Sequence, residues 1–99
     1  MNIAIHDDAR QDLLAGFHFY EKQEAGLGNY FLDCLFSDID SLQLYAGIHQ
    51  VVFGQHRCLA KRFPFAIYYT VTGDTVRVNA VLDCRRNPTR IGNRLKPDR

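Results

Sequence analysis

The cations of this chain carry most of the chemistry its sequence offers. Lys61 and Arg62 precede the apolar segment FPFAIYYTVTGDTVRVNAVLDC, and Arg85 and Arg86 follow it. Arg57 stands just before the first pair, Arg77 lies within the segment, and Arg90 and Arg94 come after it. A guanidinium grips phosphate or carboxylate with a planar two-hydrogen-bond fork, whereas a lysine ammonium acts as a point charge. This set is therefore suited to recognising an anion. Arginines could also stabilise the charge that builds on a phosphorane, but they are poor bases for taking a proton from a 2′-hydroxyl.

Other chemistries find less support. His6, His18, His49 and His56 have no H-E-x-x-H or comparable spacing, and His56 with Cys58 supplies only two ligands on one strand face, so neither metal nor cofactor is expected. Cys34, Cys58 and Cys84 are odd in number and lack C-x-x-C spacing, which fits buried thiols better than disulfides. Cys84 adjoins two arginines that would lower its pKa, while burial would raise it; the inert reading is favoured. The sequence contains no glycine-rich phosphate loop, no G-x-S-x-G elbow and no paired carboxylates at strand ends.

The net charge of +1 conceals a division between the halves. Residues 1–49 hold two cations and eight acids, and residues 50–99 hold ten cations, eight of them arginine, and three acids. Two readings follow: the basic half faces a polyanion or an acidic partner, or the halves neutralise each other within the fold. With 99 residues, 46% of them apolar and 23% charged, the chain is expected to form one globular domain. No apolar run approaches the roughly 20 residues of a membrane span, and MNIAIHDDAR lacks a secretory layout, so a cytoplasmic protein with no membrane partner is expected.

The elements that position the cations read as strand, helix hairpin and three antiparallel strands. Alternation in Asn2–His6 predicts a strand, and Asp7 or Asp8, with Gln11 completing a capping box, is placed to cap a helix. That helix has Ala9, Leu13, Gly16, Phe17 and Tyr20 on one face and is expected to end near Ala25. A second helix is predicted from about Asn29, with Phe31, Cys34, Leu35, Ile39, Leu42 and Tyr45 on its apolar stripe. The short GLG link makes the pair antiparallel. Residues Ile48–Gly54 read as a loop. Strands are predicted over Gln55–Arg62, Phe65–Thr72 and Thr75–Asp83, with a two-residue turn at Gly73-Asp74. Opposing Thr72 to Thr75 pairs Phe65 with Leu82, Ile67 with Ala80, Tyr69 with Val78 and Val71 with Val76, all on the face the helices cover. Ala66, Tyr68, Thr70, Arg77, Asn79 and Val81 are left on an open face, where Tyr68 could stack a nucleobase. The same register brings Lys61 and Arg62 to the level of Arg85 and Arg86. Like charges on neighbouring strands are destabilising unless something anionic offsets them. A helical turn after Pro88 would align Arg90 with Arg94 and extend the patch.

The order of these elements, with YEKQEAGLGNYFLD at Tyr20–Asp33, KRFPFAIYYTV at Lys61–Val71 and VRVNAVLDCRRNP at Val76–Pro88, resembles the RelE/ParE superfamily of toxins from bacterial toxin-antitoxin modules. The likeness spans Ile3 to about Leu95. It implies an α+β domain over residues 1–99, a β-α-α-β-β-β order with helices packed on one sheet face, and a cognate antitoxin as partner. Two activities divide that family: ParE-like inhibition of DNA gyrase, and RelE-like cleavage of messenger RNA in the ribosome. The nuclease reading would use Arg57, Lys61, Arg62, Arg85 and Arg86. The position where RelE-like enzymes carry an arginine is Ala66 here, and the tail tyrosine is missing near Gly92, which leaves the gyrase reading ahead. The target-binding surface is then expected at Lys61, Arg62, Tyr68, Arg77, Arg85, Arg86, Arg90 and Arg94. A homodimer and a family member without toxicity, acting as a binding module, stay open as alternatives.

Overall fold

The computed structural model describes residues 1–96, so the charges of Asp98 and Arg99 lie outside the described residues. Strand β1 (Asn2–Ile5) leads into α1 (Asp7–Glu21), α2 (Leu27–Asp40) and the single turn α3 (Leu42–Tyr45). β2 (Val51–Val52), β3 (Gln55–Leu59), β4 (Phe65–Thr72) and β5 (Thr75–Asp83) follow, then α4 (Pro88–Leu95). The sheet order is β1-β5-β4-β3-β2, parallel between β1 and β5 and antiparallel elsewhere. The α+β class and the packing of helices on one sheet face match the expectation, and the sheet gains an edge strand. Val51 and Val52, read as loop, pair with His56 and Gln55 across a Phe53-Gly54 turn. So short a strand shows no measurable alternation in sequence.

Helix α1 begins where β1 has to end. His6 N–H still donates to Val78 O at 2.9 Å, as a continuation of the sheet, so the helix starts at Asp7 and the cap falls to His6. The His6 Nδ1 accepts from Asp8 N–H at 3.0 Å; the expected Asp cap and capping box are replaced by two aspartates in the first turn, where the helix dipole favours them. Helix α1 stops at Glu21 rather than near Ala25, because its last turn tightens, with Gln23 and Glu24 N–H both donating to Tyr20 O. The Glu21 carboxylate then reaches across the link and accepts from Gly26 and Gly28 N–H at 3.0 and 2.9 Å, capping α2 from the neighbouring helix. The two helices close tightly at Gly28, where a Cβ would stand 2.7 Å from Phe17 O.

The principal core lies between α1, α2 and the sheet, with Ala9, Leu13, Phe31, Leu35, Ile39, Ile67, Tyr69, Val76 and Val78 at its centre. An aromatic cluster of Tyr20, Phe31, Phe63 and Phe65 closes one end. Of the predicted stripe on the second helix, Tyr45 is exposed.

The predicted register holds for half of the β4–β5 pair and then slips. Tyr69↔Val78, Val71↔Val76 and Thr72↔Thr75 pair as expected, but Tyr68 opposes Ala80, Ile67 opposes Val81, Ala66 opposes Leu82 and Phe65 opposes Asp83. Asn79 is the extra residue of a β-bulge. One inserted residue reverses the facing of everything beyond it. Val81 therefore joins Phe65 and Ile67 in the principal core, while Ala80 and Leu82 move to the other face beside Ala66 and Tyr68. That face is not open at this end. α4 lays Ile91 and Leu95 across it and makes a second, smaller core.

Candidate functional site

The end of the sheet where β4 begins and β5 ends brings together the two basic pairs, Lys61 with Arg62 and Arg85 with Arg86. Phe65 pairs with Asp83, and Cys84 N–H donates to Pro64 O at 2.8 Å, so the β3–β4 connection bearing Lys61 and Arg62 meets the segment bearing Arg85 and Arg86. The backbone juxtaposition expected from the hairpin is present. The side chains divide within it: Lys61 and Arg62 line a cleft with Asp33 and Asp38 of α2, whereas Arg85 and Arg86 line another with Asp12 and Phe19 of α1.

The ion pairs determine which charges stay available. Arg85 grips Asp83 through two hydrogen bonds, Nε to Oδ1 at 2.9 Å and Nη2 to Oδ2 at 2.6 Å. These hold the Asp83 carboxyl below its ordinary range and raise the Arg85 pKa. Arg94 grips Asp12 in the same manner at 2.9 and 2.7 Å, and this pair is largely shielded, with side-chain exposures of 29% and 9%. The Asp12 carboxylate also accepts from Val81 N–H at 3.0 Å, past the end of β1, where the edge of β5 would otherwise lack a partner. Arg94 is thus a bolt between α4, α1 and β5 rather than part of a patch with Arg90. The idea that the two halves neutralise each other holds at this pair.

Among the described residues, Lys61, Arg62, Arg86 and Arg90 are exposed and in no salt bridge. Arg62 leans on Tyr30 Oη at 3.5 Å. Arg77, also exposed, pairs in the sheet with Ala4 and Thr70 near the opposite end, about 20 Å of strand away from Asp83. Tyr68, read as an open stacking surface, is only 2% exposed beneath α4, because the bulge and the helix together cover its face. It adjoins Arg57, whose guanidinium also points at Cys84 Sγ at 3.7 Å. The neighbouring Tyr68 side chain is the main influence raising the Arg57 pKa.

The histidines lie elsewhere. His56 stacks on Tyr69 on the helix-covered side, with ring centroids 5.0 Å apart, and its Nδ1 is 2.8 Å from His49 O. His49 Nδ1 is 2.5 Å from Tyr69 Oη, which accepts from Gly47 N–H at 2.9 Å. Burial, and secondarily His56, push the His49 pKa down. Among the described residues no three His, Cys, Asp or Glu side chains are placed to hold a metal, and no helix is long and apolar enough to cross a membrane. Asp12 is the functional residue that sequence reasoning passed over. Its position four residues after Asp8 gave no sign that a bulge far along the chain would need its carboxylate.

The sequence matches no family profile and no curated protein. The fold, by contrast, has a solved counterpart. A chain of the chromosomal ParDE TA system from P. aeruginosa superposes with a TM-score of 0.71 at 21% identity, over 82% of this chain and 92% of that one.

Proposed function

We propose that this protein is the toxin of a toxin-antitoxin module, ParE-like, restrained by a cognate antitoxin and acting by binding and inhibiting a target such as DNA gyrase. The observation that carries this reading is the fold it shares with a chain of the ParDE TA system over 82% of its length. The chemistry of the rim is consistent with it. Lys61, Arg62, Arg86 and Arg90 are left to meet an anionic or acidic surface after folding has used Arg85 and Arg94. Cleaving RNA requires a group that takes the 2′-hydroxyl proton. The His49 ring is bonded to Tyr69 Oη, the His56 ring is bonded to the His49 carbonyl and stacks on Tyr69 on the helix-covered side of the sheet, and Tyr68 is buried under α4, so the geometry favours binding over cleavage.

An antitoxin would use the edge at β2. Two residues of strand present free backbone there, and Leu44, Ile48, Val51 and Leu59, at 82%, 74%, 57% and 56% exposure, supply apolar area beside it. An added strand or an amphipathic helix docks on such an edge. The test is a supercoiling assay with purified gyrase, run beside growth measurements on induction. Inhibition at stoichiometric toxin, relieved by Arg86→Ala, is the expected result. Unchanged supercoiling at saturating protein removes the gyrase target, and new transcript ends within codons would transfer the assignment to a ribosome-dependent endoribonuclease. Normal growth from a verified intact gene would leave a non-toxic binding module.

A further inference from the structure

Two departures from ideal sheet geometry converge on one cleft at the end of the sheet away from the cationic rim. The bulge places Asn79 and Ala80, consecutive in sequence, on the same face; Ala80 goes under α4, and Asn79 lines the cleft beyond the C-terminal end of that helix. The β2–β3 turn holds Phe53 at a φ of 53°, a left-handed conformation that an aromatic residue adopts only under strain and that glycine or asparagine would take freely. The residue is 51% exposed, and a Cβ on Gly92 would stand 3.0 Å from its ring. Phe53 and Asn79 line a cleft of about 450 Å³ together with Gln55, Thr70, His6, Asp8 and Lys96. Bulges that re-aim a side chain and strained residues both cluster at functional sites, and the volume is that of a small-molecule pocket.

The hydrogen-bonding capacity left over in the cleft describes its ligand. Asn79 Nδ2 donates to Gln55 Oε1 at 2.9 Å and to Thr70 Oγ1 at 3.3 Å, which uses both its hydrogens and leaves Oδ1 as an acceptor. Thr70, accepting from Asn79, keeps its hydroxyl hydrogen to donate. Gln55 Nε2 reaches Leu95 O at 3.5 Å and keeps a second hydrogen. None of these atoms is buried without a partner, so Asn79 Oδ1, which makes no side-chain hydrogen bond among the described residues, is accessible from the cleft. Arg94 is committed to Asp12, and Lys96 is the cation of this wall that is in no salt bridge among the described residues. Asp8, the anion of the wall, lies 3.8 Å from His6 Nδ1. A flat aromatic wall beside an acceptor and two donors is complementary to the face and edge of a nucleobase.

We propose that this cleft binds a free nucleoside monophosphate, with the base against Phe53, its edge on Thr70, Asn79 and Gln55, and the phosphate at Lys96. The proposal is independent of the toxin reading, which rests on other residues. The test titrates UMP, CMP, AMP and GMP into the full chain, followed by two-dimensional NMR and calorimetry, with ribose 5-phosphate and the nucleosides as controls. Shifts confined to Phe53, Thr70, Asn79 and their neighbours are expected, with ribose 5-phosphate at least about tenfold weaker than the best nucleotide, as loss of one base stack implies. Phe53→Gly keeps the left-handed turn, so its melting temperature should be unchanged or raised while affinity falls about tenfold. Lys96→Ala should reduce the monophosphate to the affinity of its nucleoside. Absence of shifts at millimolar nucleotide would overturn the proposal. So would equal binding of ribose 5-phosphate, which marks a plain anion site, or full affinity in a folded Phe53→Gly protein.

Discussion

Replacing Asp12 with asparagine should be among the most damaging single-atom changes available in this protein. The Asp12 side chain is 9% exposed and its two oxygens receive three hydrogen bonds: two from Arg94, at 2.9 and 2.7 Å, and one from Val81 N–H at 3.0 Å. Asparagine keeps one acceptor, so Val81 can stay bonded, but its amide hydrogens then face the guanidinium and the charge that balances Arg94 is gone. Breaking a fully buried pair by removing one partner costs about 3–5 kcal/mol. Arg94 retains 29% exposure and a further bond to Asp8 O at 3.2 Å, so water and that carbonyl recover part of the loss. We therefore expect a destabilisation of about 2 kcal/mol, or roughly a 10 °C fall in melting temperature for a domain of this size. Arg94→Met keeps the packing of the stem but leaves the more deeply buried Asp12 carboxylate with the Val81 N–H bond and no cation, so it should cost at least as much, about 2–3 kcal/mol, and the losses in the double mutant should fall short of additivity by about 1 kcal/mol. Urea unfolding followed by circular dichroism measures all three. Strict additivity, or a loss below about 0.5 kcal/mol for Asp12→Asn, would refute the view that this carboxylate fastens α4 to the sheet.

Arg85→Ala with Arg86→Ala should abolish growth arrest while the melting temperature moves by no more than about 2 °C, since both side chains are exposed and the Arg85–Asp83 pair is a surface one. Growth curves and thermal melts on the same protein separate the two effects. Gly28→Ala should cost about 2–3 kcal/mol by chemical denaturation, because its Cβ would meet the backbone oxygen of Phe17 at 2.7 Å, and a main-chain atom cannot move aside as a side chain can. The lowered His49 pKa means that the unfolded chain binds the proton more readily. Stability is then complete above the unfolded value of about 6.5 and declines as pH falls through it towards the lower folded value. Urea midpoints between pH 7.5 and pH 5 should therefore drop less in His49→Gln than in the parent; equal drops would mean that His49 carries no such linkage. The Asp83 shift acts in a separate, more acidic window, with stability lost as pH falls below the ordinary carboxylate range.

What could be read from the sequence was local, and what could not was created by contacts between distant segments. The spacing of Ala9, Leu13, Gly16 and Tyr20 sufficed to place the buried face of α1, because a helix repeats its own geometry without reference to the rest of the chain. The Gly73-Asp74 turn sufficed for the register of its nearest four pairs, since a hairpin loop sets pairing outward from itself. Beyond Tyr69 that logic fails. Both Ala80 and Val81 are apolar, so either could serve as a core residue, and alternation alone does not reveal which faces the helices. The amphipathic tail decides it: Ile91 and Leu95 need an apolar floor, and the bulge provides one by turning Ala80 and Leu82 to their side. The rim was legible as backbone and illegible as electrostatics. Arg85 and Asp83 are near enough in sequence for a pairing to be anticipated, but the Arg94–Asp12 pair joins residues 82 positions apart and depends on where α4 settles.

Asn79 links these findings. Were Asn79 instead paired with Tyr68 in a strand without the bulge, Val81 would turn away from α1, Asp12 would lose the N–H it accepts, and Leu82 would enter a core already filled by Ile67 and Val78. α4 would then have neither its apolar floor nor the carboxylate that holds Arg94, and its release would uncover Tyr68 and Arg57. The same insertion aims the Asn79 amide away from both cores into the cleft beside Phe53. A bulge costs sheet hydrogen bonding and persists only where its surroundings hold it in place. Here the surroundings are the second core, the Arg94 bolt and the Gln55–Asn79–Thr70 network. Deleting Asn79 should therefore leave α4 fastened, because Ala80, Val81 and Leu82 keep their partners and their facings in the regular strand that results; the melting temperature should hold or rise, and a deletion protein that exposes Tyr68 to solvent would refute this assignment of the bulge.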